Sequence, residues 1–590
     1  MNASRVSTRN DSVLTSNLRV GCFLERIHAG SSPQVRRVAS VSATQGTTTV
    51  YAASYAYNQG SEHRGLPTSI TYSGLPAAIT ATYDGDGALV TQTLPQVSGG
   101  GGTITQAWAR DPAGNTTAME YTQAGLPFGV SDTVEVDPAG RWAGESQSAG
   151  SWTRDYSYDP AGRLMEVTHD DGVSCVTHTY GFDVNSNRTA TGSFPDAGGA
   201  TPTDICQSTT GTVSSSAFSA ADRPTTLNGV NVASTYDAFG RTTSLAAALA
   251  PSGTAVSSIG YYVNDLVRTM TSAGVNKTWT LDGAGRLACQ RSKPTTTTDS
   301  SACGATTTAS VVDTVNHYLD ASSDSPAWTL TNTAGTPTIV SYFTGFDGTL
   351  IAELSGSTID YQLASIHGDI VATCSTSAAG SYDGTTITAD EYGNTDVAAR
   401  YAWLGGKQRS QDGSAGLILM GVRLYNTVTG LFLTPDPIRG GNDNSYGYPV
   451  EPLGRLDLRG MCWGWGCEWI SENADLIMDV ATFAAAGVCI AFTAGACAVA
   501  VSAAFVIRTA VRLSRDEGLT DANSRVIMAD AIVTAMTAGI SAGFRAGTGS
   551  MKDAPKSMKL TTLAFKMAKH VVMAPYVFSN HFYNKHRELW

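Results

Sequence analysis

Short runs in which apolar and polar residues alternate recur along the first half of the chain, as in Tyr156-Ser157-Tyr158 and Arg163-Leu164-Met165-Glu166-Val167-Thr168. A period of two places one face of such a run against a core and the other in water, the pattern of a half-buried strand. Between the runs stands a recurring element, Tyr/Phe-Asp-x-x-Gly-Arg. Clear copies are Tyr83-Asp84-Gly85-Asp86-Gly87, Tyr158-Asp159-Pro160-Ala161-Gly162-Arg163 and Tyr236-Asp237-Ala238-Phe239-Gly240-Arg241. Weaker copies centre on Asp111, Asp137, Asp183, Asp222, Asp265 and Asp282. Successive aspartates lie 27, 26, 22, 24, 39, 15, 28 and 17 residues apart, a repeat with insertions and deletions.

Each copy reads as strand, turn, strand. The aspartate accepts hydrogen bonds from amides just ahead of it, and the glycine supplies the positive φ that closes the turn. One hairpin cannot bury its apolar face, but stacked hairpins can, so the repeats predict a long, mainly β, antiparallel sheet over residues 50 to 455 with almost no helix. The repeated Asp and Arg read as turn formers rather than catalysts. After Gly460 the text becomes helical. Val480 to Ile507 are 28 residues without a charge, longer than the roughly 20 needed to span a bilayer. The same stretch is rich in Ala and Gly, and a buried pair of short helices fits it as well as a membrane contact does. Ala531 to Phe544 is too short to span and reads as a core helix.

Composition narrows the class. The 590 residues carry a net charge of -12, with 15% charged, 61 glycines and 21 prolines. That excludes a nucleic-acid partner for the repeat region and excludes a coiled coil; 42% hydrophobic residues exclude a disordered chain. The opening residues show no signal peptide, so an export route is not visible. Cysteines come in local pairs, Cys175 with Cys206, Cys289 with Cys303, Cys462 with Cys467 and Cys489 with Cys497, which favours disulfides and an extracellular or cell-surface location. No second Cys/His pair beside Cys462 and Cys467 supports zinc, and no metal or cofactor is expected. Residues 551 to 590 hold seven Lys and Arg against two acids, with His570, His581 and His586. A nuclease site or anionic lipid contact is weaker there than a solvated basic face. There is no P-loop, no Gly-x-Ser-x-Gly and no His-Glu-x-x-His.

The repeats resemble the YD repeats of the RHS (rearrangement hot spot) family. Residues 340 to 460 carry the likeness furthest, in Ser365-Ile366-His367-Gly368-Asp369-Ile370-Val371-Ala372-Thr373, Glu391-Tyr392-Gly393-Asn394, Tyr401-Ala402-Trp403-Leu404-Gly405, Gly421-Val422-Arg423-Leu424-Tyr425-Asn426-Thr427-Val428-Thr429-Gly430-Leu431-Phe432 and Asn442-Asp443-Asn444-Ser445-Tyr446-Gly447-Tyr448. These follow the signature of the RHS repeat-associated core. The resemblance implies an N-terminal segment of unclear fold (1 to 50), a YD-repeat region (51 to 340), a core (341 to 460), and a variable helical C-terminal region (461 to 590). It implies a strand spiralling into a hollow β-shell plugged by the core, enclosing a toxin that is met by an immunity protein. It also implies self-cleavage after the core by an aspartyl-protease-like pair. Asp436 and Asp457 match its carboxylates, and the cut falls after Met461. Two departures stand out: the first element, Asp436-Pro437-Ile438-Arg439-Gly440, is one residue longer, and in the second Leu458 replaces a proline and Met461 a leucine. A second reading is a surface adhesin that binds glycans or a target cell and is anchored by residues 480 to 507.

Overall fold

The computed structural model describes residues 16–21 and 38–461, apart from 46–47, 58–59, 61, 96–101, 124–128, 197–205, 207, 306–309, 320–322, 334–335, 376–385, 412–413 and 439–440. Residues 462–590, with Cys462, Cys467, the apolar stretch 480–507 and the expected helical region, lie outside them. Among the described residues the helical pieces are three single 3-10 turns, Ala247–Leu249, Gly405–Lys407 and Ser414–Gly416, and no helix is long and apolar enough to cross a membrane.

Strands pair with their neighbours in sequence. A 17-stranded antiparallel sheet runs from Ser16–Gly21 to Val230–Asn231, and a ten-stranded one from Val256–Tyr261 to Ile370–Ser375. The continuous sheet expected over residues 50 to 455 is thus broken around the short pair Thr235–Tyr236 and Thr242–Ser244 and the 3-10 turn that follows, and it stops at Ser375. Among the described residues beyond it the named strands are Ile418–Met420, Arg423–Asn426 and Leu431–Phe432, a separate small sheet. The sheet also starts ahead of residue 51, and strand Thr336–Thr344 crosses the boundary expected at 340.

The turns explain the repeat. In the copy at Asp159, the Asp159 Oδ1 accepts from the Ala161 and Arg163 amides at 2.9 and 3.0 Å, and Gly162 closes the turn at φ +81°. Arg163 pairs with Asp159 at 2.7 Å, lies over the Phe182 ring and donates to the Asp183 carbonyl of the next turn. Tyr158 donates back to the Trp142 carbonyl at 2.8 Å. Arg241 with Asp237 and Arg286 with Asp282 repeat the pairing. Tyr, Asp and Arg therefore fasten each hairpin to its neighbours. Two weaker copies are centred differently than expected. At those turns Ser219 and Tyr262 hold the first position, and Asp222 and Asp265 take the left-handed one at φ 57° and 64°.

Both sheets share a core in which Tyr51 stacks on Trp328 and Tyr72 on Phe343. The residues after Thr344 then track across the first sheet in strand order. Tyr72 donates to the Thr344 carbonyl, Gln92 receives the Phe346 amide, and Tyr121 and Asp132 receive those of Ala364 and Ile366. Further on Arg154 donates to the Ala389 carbonyl, Tyr180 to Glu391 and Arg188 to the Val428 carbonyl. The polar side chains buried among the apolar ones on this sheet are tolerated because each of these groups has a backbone or side-chain partner on the core segment.

Cys175 is joined to Cys206 and Cys289 to Cys303, with Cα atoms 5.7 and 6.1 Å apart. Opening either bridge by Cys206→Ala or Cys303→Ala should lower the unfolding free energy by about 3–4 kcal/mol through chain entropy. Peptide maps without reduction that show all four as thiols would refute the bridges and weaken the case for an oxidising location.

Candidate carboxylate site

The hairpin Ile418–Met420 and Arg423–Asn426, extended by Leu431–Phe432, forms the platform of the site. Its underside is an aromatic cluster of Trp403, Tyr425, Phe432 and Tyr448. Met420 pairs with Arg423 across a turn made by Gly421 and Val422. Against this turn runs the end of the core: the Val422 amide donates to the Arg459 carbonyl at 3.0 Å. The contact is so close that a Cβ on Gly421 would stand 2.3 Å from the Arg459 carbonyl oxygen, and one on Gly460 2.5 Å from that of Met420. Both glycines also have positive φ, so neither position accepts a side chain.

Asp436 and Asp457, 21 residues apart in sequence, meet above the Arg423 side chain. Arg423 Nη2 donates to Asp457 Oδ2 at 2.8 Å and lies 3.4 Å from Asp436 Oδ2. All three side chains are at most 4% exposed. The guanidinium rests over the Phe432 ring, 3.6 Å from its centre. Asp436 is set by the two prolines around it and by its own Oδ1, which accepts the Ile438 amide at 2.8 Å. Asp457 Oδ1 accepts the Met461 amide at 2.8 Å. Asn442 completes the site, its Nδ2 donating to Asp436 Oδ2 and Asp457 Oδ2 at 2.8 and 2.9 Å.

Burial pushes the Asp436 carboxyl above its usual range, against the pull of Arg423, and burial likewise lowers the Arg423 guanidinium. A carboxyl favoured in its neutral form beside a second carboxylate is the arrangement that acid–base hydrolysis needs. Leu458 stands where the resemblance expects a proline. Its side chain packs on the aromatic cluster and its carbonyl accepts from Arg409 at 2.9 Å. Arg423 and Asn442 were not singled out by sequence; both stood unremarked inside the strings of the core signature.

A second buried cluster surrounds His367. Its Nδ1 lies 3.0 Å from Asp369 Oδ1 and its Nε2 3.0 Å from the Pro452 carbonyl. Two acceptors call for two N–H groups, hence an imidazolium. Burial opposes that charge, but Asp369 and the two hydrogen bonds outweigh it and push the group up to about 9. Nearby, burial raises the carboxyls of Asp132, Glu145 and Glu451. Among the described residues no cluster has the makings of a metal site.

No family model matches the chain, and no curated protein is similar to it in sequence. Solved structures do match. TcdB2-TccC3 without its hypervariable C-terminal region aligns with TM-score 0.52 at 14% identity, over 71% of this chain and 21% of that one. The Tc holotoxin pore of Photorhabdus luminescens, with an Asp-to-Ala mutation in TccC3, aligns with TM-score 0.53 at 15% identity, over 72% and 21%. TcdB2-TccC3-Cdc42 gives 0.51 at 15%, over 71% and 22%. This chain spans about a fifth of their length, and at such identity the likeness shows a shared β-shell fold.

Proposed function

We propose that this chain is an RHS-type shell that carries a C-terminal effector, residues 462 to 590, and frees it by cutting itself after Met461. One observation carries the reading. The Met461 amide is held on Asp457 Oδ1, so the chain enters the variable region directly beside two buried carboxylates. Asp436, raised by burial, serves as the proton donor, with Asp457 as the second member of the pair. The location that fits is extracellular, where paired cysteines persist. The partners that fit are a target cell and an immunity protein binding the freed tail. The matched structures, a holotoxin pore and a TcdB2-TccC3 without its hypervariable C-terminal region, support a toxin-associated role.

Expression of 462 to 590 alone, with and without a secretion signal, tests the cargo half of the proposal. Growth should stop in at least one compartment. A tail harmless in both, yet partitioning into membranes, would favour the anchored adhesin instead.

A further inference from the structure

The two carboxylates are arranged around a nitrogen where hydrolysis calls for a water. Hydrolysis by an aspartate pair needs an attacking water within reach of both carboxyls, one ionised to take its proton and one neutral to give a proton. The point between Asp436 Oδ2 and Asp457 Oδ2 is that water's place. Asn442 Nδ2 fills it, 2.8 and 2.9 Å from the two oxygens. Asn442 is 9% exposed, and its own carbonyl oxygen is buried without a hydrogen-bond partner.

That orphaned oxygen argues against a merely structural asparagine. Charge balance does not require the amide either, since Arg423 Nη2 already faces both carboxylates. Resting on the reading of Asp436 and Asp457 as the cutting pair, we propose that Asn442 is a positioning residue that holds the pair closed, so that cutting waits until its amide withdraws and a water takes its place. In the opened site one carboxylate accepts a proton from that water as its oxygen bonds to the Met461 carbonyl carbon. The neutral carboxyl gives its proton, the bond from that carbon to the Cys462 nitrogen breaks, and the products are a Met461 carboxylate and a Cys462 amine. One water is consumed and no other reactant is needed.

The test uses the full chain made in a cell-free extract and sampled with time, as native sequence, Asn442→Ala and Asn442→Ser, each with and without Asp436→Asn. Both Asn442 variants should cut at least tenfold faster than the native chain, and Asp436→Asn should stop all of them. The pH profile should also move. Burial raises the Asp436 carboxyl and the Asn442 hydrogen bond draws it back, so loss of that donor shifts the corresponding limb to higher pH. The serine variant, with a side chain too short to bridge both oxygens, decides if the alanine variant misfolds. Equal or slower cutting by the Asn442 variants, still stopped by Asp436→Asn, would overturn the closed-pair proposal and leave the pair itself standing. If no chain cuts, both readings fall.

Discussion

Asp436→Asn and Asp457→Asn should each leave the chain whole, with cutting reduced by at least roughly a thousandfold, as when one member of a catalytic group is removed. Asparagine keeps the size and most hydrogen-bonding capacity of aspartate but cannot ionise. A pair that shares one proton between two oxygens is therefore lost when either partner is replaced. Stability should follow a different course. One guanidinium, Arg423, faces two carboxylates in a site almost closed to water. A pair that shares one proton carries one negative charge opposite Arg423, and either substitution leaves one aspartate to keep that charge, so the fold should survive. Melting temperatures close to that of the native chain, with no cut product on a denaturing gel, are the expected combination. A variant that folds and still cuts would remove the pair from the mechanism.

Raising the pH from 6.5 to 9 should weaken the described unit by on the order of 3 kcal/mol, the linkage expected when a histidine folds with its group near 9 instead of 6.5. The sign follows from proton counts. In the folded chain His367 keeps its proton through this window, while in the unfolded chain it has lost it, so the stabilisation is complete below 6.5 and gone above 9. The carboxyls of Asp132, Glu145 and Glu451 are raised by burial, a shift whose linkage has the same sign at whatever pH they titrate. His169, lowered to about 4 by burial and by Arg154, is neutral in the folded chain throughout this window and opposes the trend only near 6.5, where the unfolded imidazole still binds part of a proton. Denaturant midpoints at the two pH values check this. His367→Gln should flatten the dependence; a native chain equally stable at both would show that the imidazole is neutral.

The strands and turns were legible because their cause is local. Asp159 caps amides two and four residues ahead of it, and Gly162 sits where only glycine is unstrained. Where the local cue was ambiguous the reading slipped, as at Asp222 and Asp265, whose turns begin at Ser219 and Tyr262. The break after Asn231 carries no comparable cue, since Thr235–Tyr236 and Thr242–Ser244 look like any other repeat. For the carboxylate site, resemblance pointed to Asp436 and Asp457, but spacing alone would not have joined them. Asn442 was legible only as one residue of the core signature, and only folding carries it onto both carboxylates. Likewise the partner of His367 Nε2 comes from Pro452, 85 residues away. Contacts of that range are set by how the core segment tracks across the first sheet, which no periodicity records.

The most direct measurement is the terminal sequence and mass of every polypeptide in purified native protein after long incubation. The account predicts two chains, one ending at Met461 and one beginning at Cys462. A single uncut chain, or a cut elsewhere, would contradict release of the tail by the Asp436 and Asp457 pair.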